Sequence, residues 1–316
     1  MAAQVIHNFL ELLEDTIYHG GGPLPASHKH AVVGLAGIER LNRLSDDTPV
    51  PSGRTLVYPM IGYPTTQVKS PTTFNRYFRE KYIDGVMVAI DVHPAAVAHF
   101  FSLLRGWQNC PGCIVTMPHK QEAARQADDL SPRARDLGAV NVLKRTQEGR
   151  LVGDMVDGLG FLEALRAHGF DPRGKRIVVF GAGGAGGAIA YAVAEAGAAE
   201  LVVIDTDGAR QGSLLALIAS RYPQVALSGT PAPLCGFDLA VNATPLGMNN
   251  DVRTPFPLDT LAPATFVADV VTEPEITPWL RGAKERGCRI QTGYEMTLGQ
   301  FTIMGRHMGI DIETRK

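Results

Sequence analysis

The sequence has few cysteines and no recognisable metal-binding pattern. Four cysteines occur in 316 residues, and although Cys110 and Cys113 form a C-x-x-C pair, no second pair or histidine cluster completes a zinc site. We therefore expect no metal. Buried or incidental thiols are the first interpretation, with a redox pair as the alternative. Thiols this sparse suit the reducing cytoplasm, which is the expected location.

The sequence also lacks a strong net charge, long apolar runs and targeting features. Its formal net charge of −2 and its pI near 6.5 give no support for a nucleic-acid or anionic-membrane partner. No stretch of 18 uninterrupted apolar residues is present, so no membrane-spanning helix is expected. The N-terminus carries acids and has neither a basic n-region nor a cleavage site, so we expect no signal peptide.

What is present fits an ordinary globular protein that is long enough for two domains. Residues 3–18 place apolar side chains at helical spacing with acids between them. This pattern predicts an amphipathic helix packed on the body of the protein or on another subunit, so a homodimer is left open. Residues 19–53 are rich in turn residues. We find no chemistry in 1–53, which we describe as an N-terminal extension.

Residues 176–205 carry the clearest local signal. The apolar run 177–180 predicts a buried strand, and Gly181, Gly183 and Gly186 follow it in the G-x-G-x-x-G spacing before an alanine-rich helix. These glycines let the chain reverse tightly and let a pyrophosphate approach main-chain N–H groups at a helix N-terminus, where the helix dipole favours an anion. The intervening Gly184 and Ala185 are therefore also candidate cofactor-binding residues.

An acid closes the next strand. The buried run 201–204 ends at Asp205, which lies 24 residues after Gly181. This is about where a carboxylate accepts hydrogen bonds from a ribose 2′-OH. Strand, glycine turn, helix and acid together predict dinucleotide binding. The main alternative is a methyltransferase that binds a nucleoside-sulfonium cofactor with a similar turn and acid.

Strands and helices alternate from Arg54 onward, which implies parallel sheets with helices on both faces. A hairpin is predicted across 147–149, and the domain boundary is expected near Asp157. The other predicted strands are 55–61, 86–90, 114–117, 239–241, 266–271 and 289–291, and the other predicted helices are 70–81, 94–104, 158–168, 208–221, 276–286 and two that start near His119 and Met296.

Five further motifs lie between residues 115 and 300. They are VTMPHK at 115–120, GAVN at 138–141, GDMVDG at 153–158, NATPLGM at 242–248 and G-x-x-M-x-x-x-Q at 293–300. They occur in the order seen in the shikimate dehydrogenase family, which the chain resembles over about residues 54–316. The resemblance implies an α/β fold with parallel-dominated sheets. The expected domains are an N-terminal α/β substrate-binding and catalytic domain (54–156 and 294–316) and a Rossmann-like dinucleotide-binding domain (157–293).

The resemblance implies that Lys120 is the catalytic lysine and Asp157 its paired aspartate. Hydride leaves a carbinol carbon only as the hydroxyl proton is removed, and the reverse step must protonate the developing alkoxide. A lysine held by a carboxylate can move that proton and stabilise the negative oxygen. Outside these motifs the two would be interpreted as a surface lysine and a helix-capping aspartate. The sequence leaves open which of the two is the formal base.

The same resemblance implies a set of binding residues. Asn141 and Gln300 match positions that bind ring hydroxyls, while Thr116 and Ser70 match positions nearer the substrate carboxylate. Short polar side chains suit a polyhydroxylated ring, because an unmet hydroxyl is costly to bury. The simpler alternatives are a strand position for Thr116 and a helix cap for Ser70. The remaining candidate cofactor-binding residues, most of them in the family's nicotinamide-side loop, are Asn242, Thr244, Gly247, Met248 and Gly293.

Some residues depart from the family pattern around the pocket that normally holds a carboxylate and three hydroxyls. Several usually polar positions have become apolar, and each lost buried donor costs about 1–3 kcal/mol. We therefore expect a less hydroxylated or differently substituted ring acid to fit better than shikimate. The departing residues are Gln67, Val68, Ile114, Met155, Val156 and Thr272.

The turn after the second strand predicts the cofactor. Family members that use the phosphorylated cofactor carry an Asn-Arg-Thr turn whose arginine binds the 2′-phosphate. Here the turn reads Asp205-Thr206-Asp207, and the first basic residue is Arg210, which we count among the candidate cofactor-binding residues. Two acids repel a dianionic phosphate, while a 2′-OH can donate to Asp205. We expect NAD, with NADP as the alternative.

The sequence therefore predicts an NAD(P)-dependent dehydrogenase. Its expected substrate is a small cyclic hydroxy acid, namely shikimate or a relative such as quinate. The second hypothesis is a non-catalytic homologue that binds NAD or a metabolite and has lost turnover. The presence of Lys120 and Asp157 favours the dehydrogenase hypothesis, because a homologue that only binds a ligand need not keep a proton-transfer pair. The methyltransferase hypothesis explains none of the N-terminal motifs.

Overall fold

Two six-stranded sheets organise the part of the chain that the computed structural model describes, residues 51–249 and 251–312. The first sheet contains β1 (Leu56–Gly62), β2 (Gly85–Asp91), β3 (Gly112–Val115), β4 (Asp129–Leu130), β5 (Val142–Arg145) and β6 (Leu151–Asp154). Its spatial order is β2-β1-β3-β5-β6-β4, and only the β3–β5 and β5–β6 pairs are antiparallel. The helices between these strands are α1 (Ser70–Glu80), α2 (Val97–Gly106), α3 (Lys120–Gln126) and α4 (Pro132–Leu137).

The second sheet is parallel throughout. It contains β7 (Arg176–Phe180), β8 (Glu200–Ile204), β9 (Ala226–Ser228), β10 (Leu239–Asn242), β11 (Phe266–Asp269) and β12 (Ile290–Gln291), in the spatial order β12-β11-β10-β7-β8-β9. The helix α5 (Asp157–Ala167) leads into this sheet. The remaining helices are α6 (Gly184–Glu195), α7 (Gly208–Arg221), α8 (Pro278–Glu285) and α9 (Gly293–His307).

The apolar run before the glycine turn forms a strand that is buried on both faces. Ile177 and Val179 pack in one hydrophobic cluster, with side chains of α5 and α6, and Val178 and Phe180 pack in another cluster with Trp279 of α8. A parallel strand covered by helices on both sides is continuously apolar rather than alternating. This explains why the sequence pattern at 177–180 has no polar face.

Most of the predicted elements are confirmed within a few residues, including the hairpin, which is the antiparallel pair β5–β6. The short elements β4, α4 and β9 are absent from the prediction. The last helix begins at Gly293, earlier than predicted, because Thr292 and Glu295 form a capping box. Ser70 begins α1 but makes no side-chain capping bond, so the helix-cap interpretation of Ser70 is wrong. The predicted helix at 3–18 lies outside the described residues.

Two glycines allow α5 and α9 to cross closely. A Cβ atom at Gly299 would lie 2.2 Å from the carbonyl oxygen of Gly160, and one at Gly160 would lie 2.1 Å from Cγ of Gln300. Neither position has room for a side chain. The crossing holds the start of α5, at Asp157, near the middle of α9, where Gln300 lies.

The two cysteines of the C-x-x-C pair are free and buried. Burial raises the pKa of Cys110 to about 12 and holds the pKa of Cys113 well above its usual value. Both thiols therefore stay protonated at neutral pH, which disfavours the redox alternative. Among the described residues there is no cluster of three or more potential metal ligands, and no helix there could span a membrane.

Candidate active site

The chain reverses its direction across the second sheet between β7 and β10. From β7 it proceeds to β8 and β9 on one side, and the later strands β10, β11 and β12 lie on the other side. Ligands of open parallel sheets bind outside the carboxyl ends of the strands at such a switch point. The glycine turn follows β7, and the loop of residues 243–248 follows β10, so both meet at this point.

The glycine turn packs directly on that loop. Gly181 has a φ of +101°, and a Cβ atom there would lie 2.7 Å from the carbonyl oxygen of Ala243. At Gly186 a Cβ atom would lie 2.0 Å from the carbonyl oxygen of Gly181. Both glycines are therefore required by the close approach of main chains. Gly183, Gly184 and Ala185 are partly or fully exposed at the N-terminus of α6, which has no side-chain cap.

Asp205 lies against the glycine turn. Its Oδ2 accepts a hydrogen bond from the Ala182 N–H at 2.6 Å, and its Oδ1 accepts one from the Asp207 N–H at 2.8 Å. Arg210 lies beside this carboxylate, 3.9 Å from Nη1 to Oδ2, and its Nη2 donates to Asp207 at 3.0 Å. The only basic side chain predicted near the cofactor turn is thus paired with two acids.

Lys120 and Asp157 form an ion pair between the first residues of α3 and α5. Lys120 Nζ donates to Asp157 Oδ2 at 2.5 Å, and their side chains are 15% and 7% exposed. The other carboxylate oxygen, Oδ1, accepts from Asn141 Nδ2 at 2.6 Å. Asn141 Oδ1 in turn accepts from the Val156 N–H at 2.9 Å. Asn141 therefore fixes the carboxylate that holds the lysine.

The lysine lies beside the glycine turn. A Cβ atom added at Gly184, the first residue of α6, would be 3.6 Å from Cδ of Lys120. The predicted proton-transfer pair and the predicted dinucleotide site, which belong to different sheets, are therefore neighbours in space. A dinucleotide bound at the start of α6 would therefore lie beside the Lys120 side chain.

The other candidate substrate residues are partly buried and have free polar groups. Thr116 follows β3, and Gln300 lies on α9 against Gly160. In the described part of the chain, the side chains of Thr116, Gln300 and Ser70 make no hydrogen bond; Ser70 is 8% exposed. Their polar groups are therefore available to a ligand.

A buried polar network lies behind the loop of residues 243–248, the predicted nicotinamide-side loop. Asn242, Asp269 and Thr277 are all 0% exposed. Asn242 Nδ2 lies 3.1 Å from both carboxylate oxygens of Asp269, and its Oδ1 accepts from the hydroxyl of Thr244 at 2.6 Å. Burial raises the pKa of Asp269 to about 6, although several hydrogen bonds oppose this shift. Sequence reasoning missed Asp269 and Thr277; the only available signal was an acid inside the predicted strand 266–271.

The last three candidate cofactor-binding residues, Gly247, Met248 and Gly293, lie in different surroundings. Gly247 has a φ of +88° and packs on Thr277, so the loop requires a glycine there, and the adjacent Met248 is partly exposed. Gly293 is buried, and a Cβ atom there would lie 2.4 Å from the carbonyl oxygen of Val271. Its glycine is therefore explained by the packing of α9 on the end of β11.

The departures from the family pattern fall into two groups. Ile114, Met155 and Val156 are at most 1% exposed and pack in hydrophobic clusters. The side chains of these three belong to the hydrophobic cores, and that the changed positions surround the pocket stays a prediction. Gln67, Val68 and Thr272 are partly exposed. These three are therefore the accessible positions among the departures.

Known relatives agree on one family. Residues 60–143 match the model of the shikimate dehydrogenase substrate binding domain. The shikimate dehydrogenase (NADP(+)) of Moorella thermoacetica is 36% identical over 255 residues, which are 76% of this chain and 83% of that protein. The chain belongs to the shikimate dehydrogenase family. With this family established, the methyltransferase alternative is wrong.

Solved structures of the family have the same fold. Shikimate 5-dehydrogenase from Listeria monocytogenes, in complex with shikimate and NAD, matches with a TM-score of 0.77 and 29% identity over 83% of this chain and 94% of that one. Quinate dehydrogenase from Corynebacterium glutamicum, in complex with NAD, matches with a TM-score of 0.73 and 28% identity over 80% and 93%. The predicted α/β fold with a substrate domain and a Rossmann-like domain is confirmed, and the family consists of NAD(P)-dependent oxidoreductases that act on CH–OH groups.

Proposed function

We propose that the protein catalyses reversible hydride transfer between a ring hydroxyl of a cyclic hydroxy acid and a nicotinamide dinucleotide. The observation that carries this proposal is the Lys120–Asp157 pair beside the first residue of α6. Desolvation opposes the burial of an ion pair, so a protein that only binds a ligand gains little from one at this position. A dehydrogenase needs a proton-transfer group there.

The chain supplies the proton chemistry. In the direction of oxidation, the pair removes the hydroxyl proton of the substrate; in reduction, the Lys120 ammonium donates a proton to the developing alkoxide and stabilises its charge. Asp157 holds the lysine through Oδ2, while Asn141 holds Oδ1, so both carboxylate oxygens are oriented. The nicotinamide, when bound, accepts or donates the hydride.

The residues at the switch point fit a dinucleotide. The first N–H groups of α6 have no side-chain cap, and the exposed Gly184 leaves them open to an anion such as a pyrophosphate. Asn242 and Thr244 shape the adjoining loop. We propose that Met248 and the main chain of this loop receive the nicotinamide.

We further propose that NAD is preferred over NADP. Asp205 is oriented by two main-chain N–H groups, and Arg210, the nearest cation, is already paired with Asp205 and Asp207. A 2′-phosphate would have to displace these contacts and lie beside a carboxylate. The Moorella thermoacetica relative is named for NADP(+), whereas the Listeria monocytogenes structure contains NAD, so this preference separates the chain from part of its family.

We propose that the substrate is a ring acid with fewer or different polar substituents than shikimate. Ser70, Thr116 and Gln300 offer free polar groups, but Val68 and Thr272 replace a serine and a tyrosine of the family pattern. The proposed domains remain 54–156 with 294–316 for the substrate and 157–293 for the dinucleotide. A cytoplasmic location and a homodimer stay predictions.

The test is a turnover panel. The wild-type protein is incubated with NAD or NADP and with shikimate, quinate and related ring acids, and the absorbance of the reduced nicotinamide is followed. We expect turnover with at least one acid. If no acid were turned over while the protein still bound the dinucleotide, the non-catalytic homologue would be favoured. The supporting observation for that alternative is the replacement of the family's serine and tyrosine by Val68 and Thr272.

A further inference from the structure

Asp269 is a buried acid that the proposed reaction does not use. It ends β11, directly beside Asn242 at the end of the neighbouring strand β10. Both residues and the nearby Thr277 are 0% exposed. An acid buried this completely is expensive unless its surroundings compensate it, so its position requires an explanation.

All the hydrogen-bond partners that the Asp269 carboxylate has among the described residues donate to it. Asn242 Nδ2 lies 3.1 Å from both oxygens, the Thr277 hydroxyl lies 2.7 Å from Oδ2, and the Val271 N–H lies 2.9 Å from Oδ1. The Thr277 oxygen accepts from the Leu280 N–H, so its hydroxyl hydrogen is directed to Asp269. An ionised carboxylate has only acceptors and matches this ring of donors.

The chain of hydrogen bonds, with its fixed order of donors and acceptors, continues into the loop after β10. Because Asp269 takes the NH₂ group of Asn242, the carbonyl oxygen of that amide faces the other way, where it accepts from the N–H and the hydroxyl of Thr244. The Thr244 oxygen then accepts from the Leu246 N–H, and the Leu246 carbonyl accepts from Asn242 Nδ2. The carboxylate thus helps to orient the Asn242 amide and, through it, the Thr244 hydroxyl.

This turn is one wall of the proposed cofactor site. Ala243, its first residue, contacts Gly181 of the glycine turn, and Gly247 packs on Thr277. We propose that Asp269 is a positioning residue that acts through Asn242 to fix residues 243–248 in the conformation that receives the nicotinamide half of the dinucleotide. This inference rests on the proposed function and names a residue that has no contact with the ligand.

An amide cannot replace the carboxylate in this role. In Asp269→Asn, the NH₂ group must face one of the existing donors, and the amide of Asn242 loses one of the contacts that fix its orientation. The loop then gains a second hydrogen-bonding arrangement. The glycine turn and Asp205, which are proposed to bind the other half of a dinucleotide, make no hydrogen bond to this network in the described residues, so we expect their geometry to change less.

The experiment compares two probes. Dissociation constants of NADH and of ADP-ribose, which lacks the nicotinamide, are measured for the wild type and for Asp269→Asn and Thr277→Val; NADPH and 2′-phospho-ADP-ribose are used if the protein binds the phosphorylated cofactor. Thr265→Val is the matched control, because Thr265 is equally buried at the opposite end of β11 and donates only to the Phe237 carbonyl. The fluorescence of bound NADH is recorded as a report on the nicotinamide environment.

We expect Asp269→Asn to weaken NADH binding about tenfold, the value of one lost charged hydrogen bond, and to change ADP-ribose binding less than twofold. Thr277→Val should also weaken NADH binding more than ADP-ribose binding, but by a smaller factor. Thr265→Val should change the affinity for neither probe. Equal weakening of both probes, or no change for NADH, would overturn the inference and leave the proposed function intact. If the wild type bound neither probe, the proposed function would fail first and the inference with it.

Discussion

Lys120 and Asp157 start two different helices, yet Nζ of the lysine lies 2.5 Å from Oδ2 of the aspartate. The lysine begins α3 and the aspartate begins α5, so the pair forms only when the first sheet and the helix that leads to the second sheet are both in place. Asn141 holds the other aspartate oxygen. This coupling makes the proposed proton-transfer site a product of the tertiary fold rather than of one motif.

The cofactor preference is tested on Asp205. The wild type should show a higher kcat/KM for NAD than for NADP, because the Asp205 carboxylate repels a 2′-phosphate. Asp205→Ala should relax the preference, mainly by improving NADP. Arg210→Ala is the companion variant and should leave NAD turnover nearly unchanged, since Arg210 is paired with acids. Equal or better turnover of NADP by the wild type would contradict this prediction.

Two partly exposed departures should control the choice of ring acid. The double variant Val68→Ser with Thr272→Tyr restores polar groups of the family pattern and should raise kcat/KM for shikimate by about tenfold to a hundredfold, the value of one or two recovered hydrogen bonds. Ile114→Asn is the contrast, because Ile114 is 1% exposed in a hydrophobic cluster. That variant should lose stability without gaining activity. Improved shikimate turnover in Ile114→Asn alone would show that the cluster position belongs to the pocket.

The buried Asp269 predicts a pH-dependent stability difference. Burial raises its pKa from 3.8 to about 6, so the folded protein binds this proton more tightly than the unfolded chain does, and this contribution to stability is lost as the pH rises from about 4 through 6 and the carboxyl ionises. A shift of roughly two units corresponds to about 3 kcal/mol. Relative to the wild type, Asp269→Asn should therefore gain free energy of unfolding by up to that amount as the pH rises to 7. Urea unfolding across this pH range would measure it, and a pH-independent difference would count against a raised pKa.

Replacing the buried Gln291 with an apolar residue should stabilise the protein. Its side chain is 0% exposed, and neither amide atom has a hydrogen-bond partner among the described residues. Gln291→Met removes these unsatisfied groups at nearly constant volume and should raise the free energy of unfolding by about 1–3 kcal/mol. Gln211→Met is the matched control and should destabilise, because the Gln211 amide accepts from Asp205 N–H and donates to the Gly229 carbonyl. A loss of stability in Gln291→Met would indicate that this amide has a partner after all.

The sequence was sufficient for the parallel architecture and for the main motifs. The run 177–180 is short and rich in β-branched residues, which favours a buried strand, and the glycine spacing after it follows from close main-chain contacts at Gly181 and Gly186. These are local requirements, so local patterns reveal them. Short elements such as α4, with six residues, show too little periodicity to be predicted.

What the sequence could not predict depends on contacts between distant segments. Asn141 matches a family position that binds a ring hydroxyl, but its hydrogen bonds to Asp157 and Val156 appear only in the folded structure. Likewise, nothing local distinguishes Ile114, which packs in a core, from Val68, which is partly exposed. Asp269 was overlooked because an acid inside a predicted strand has no recognisable partner until β10 lies beside it.

The kinetics of Lys120 variants test the central claim most directly. On an active ring acid, Lys120→Ala should lower kcat by about two to four decades while dinucleotide affinity barely changes, and Asp157→Asn should also lower kcat. The double variant should lose less than the sum of the two effects, because the pair acts as one unit. A raised KM with kcat intact in Lys120→Ala would instead make Lys120 a binding residue and contradict the proton-transfer assignment.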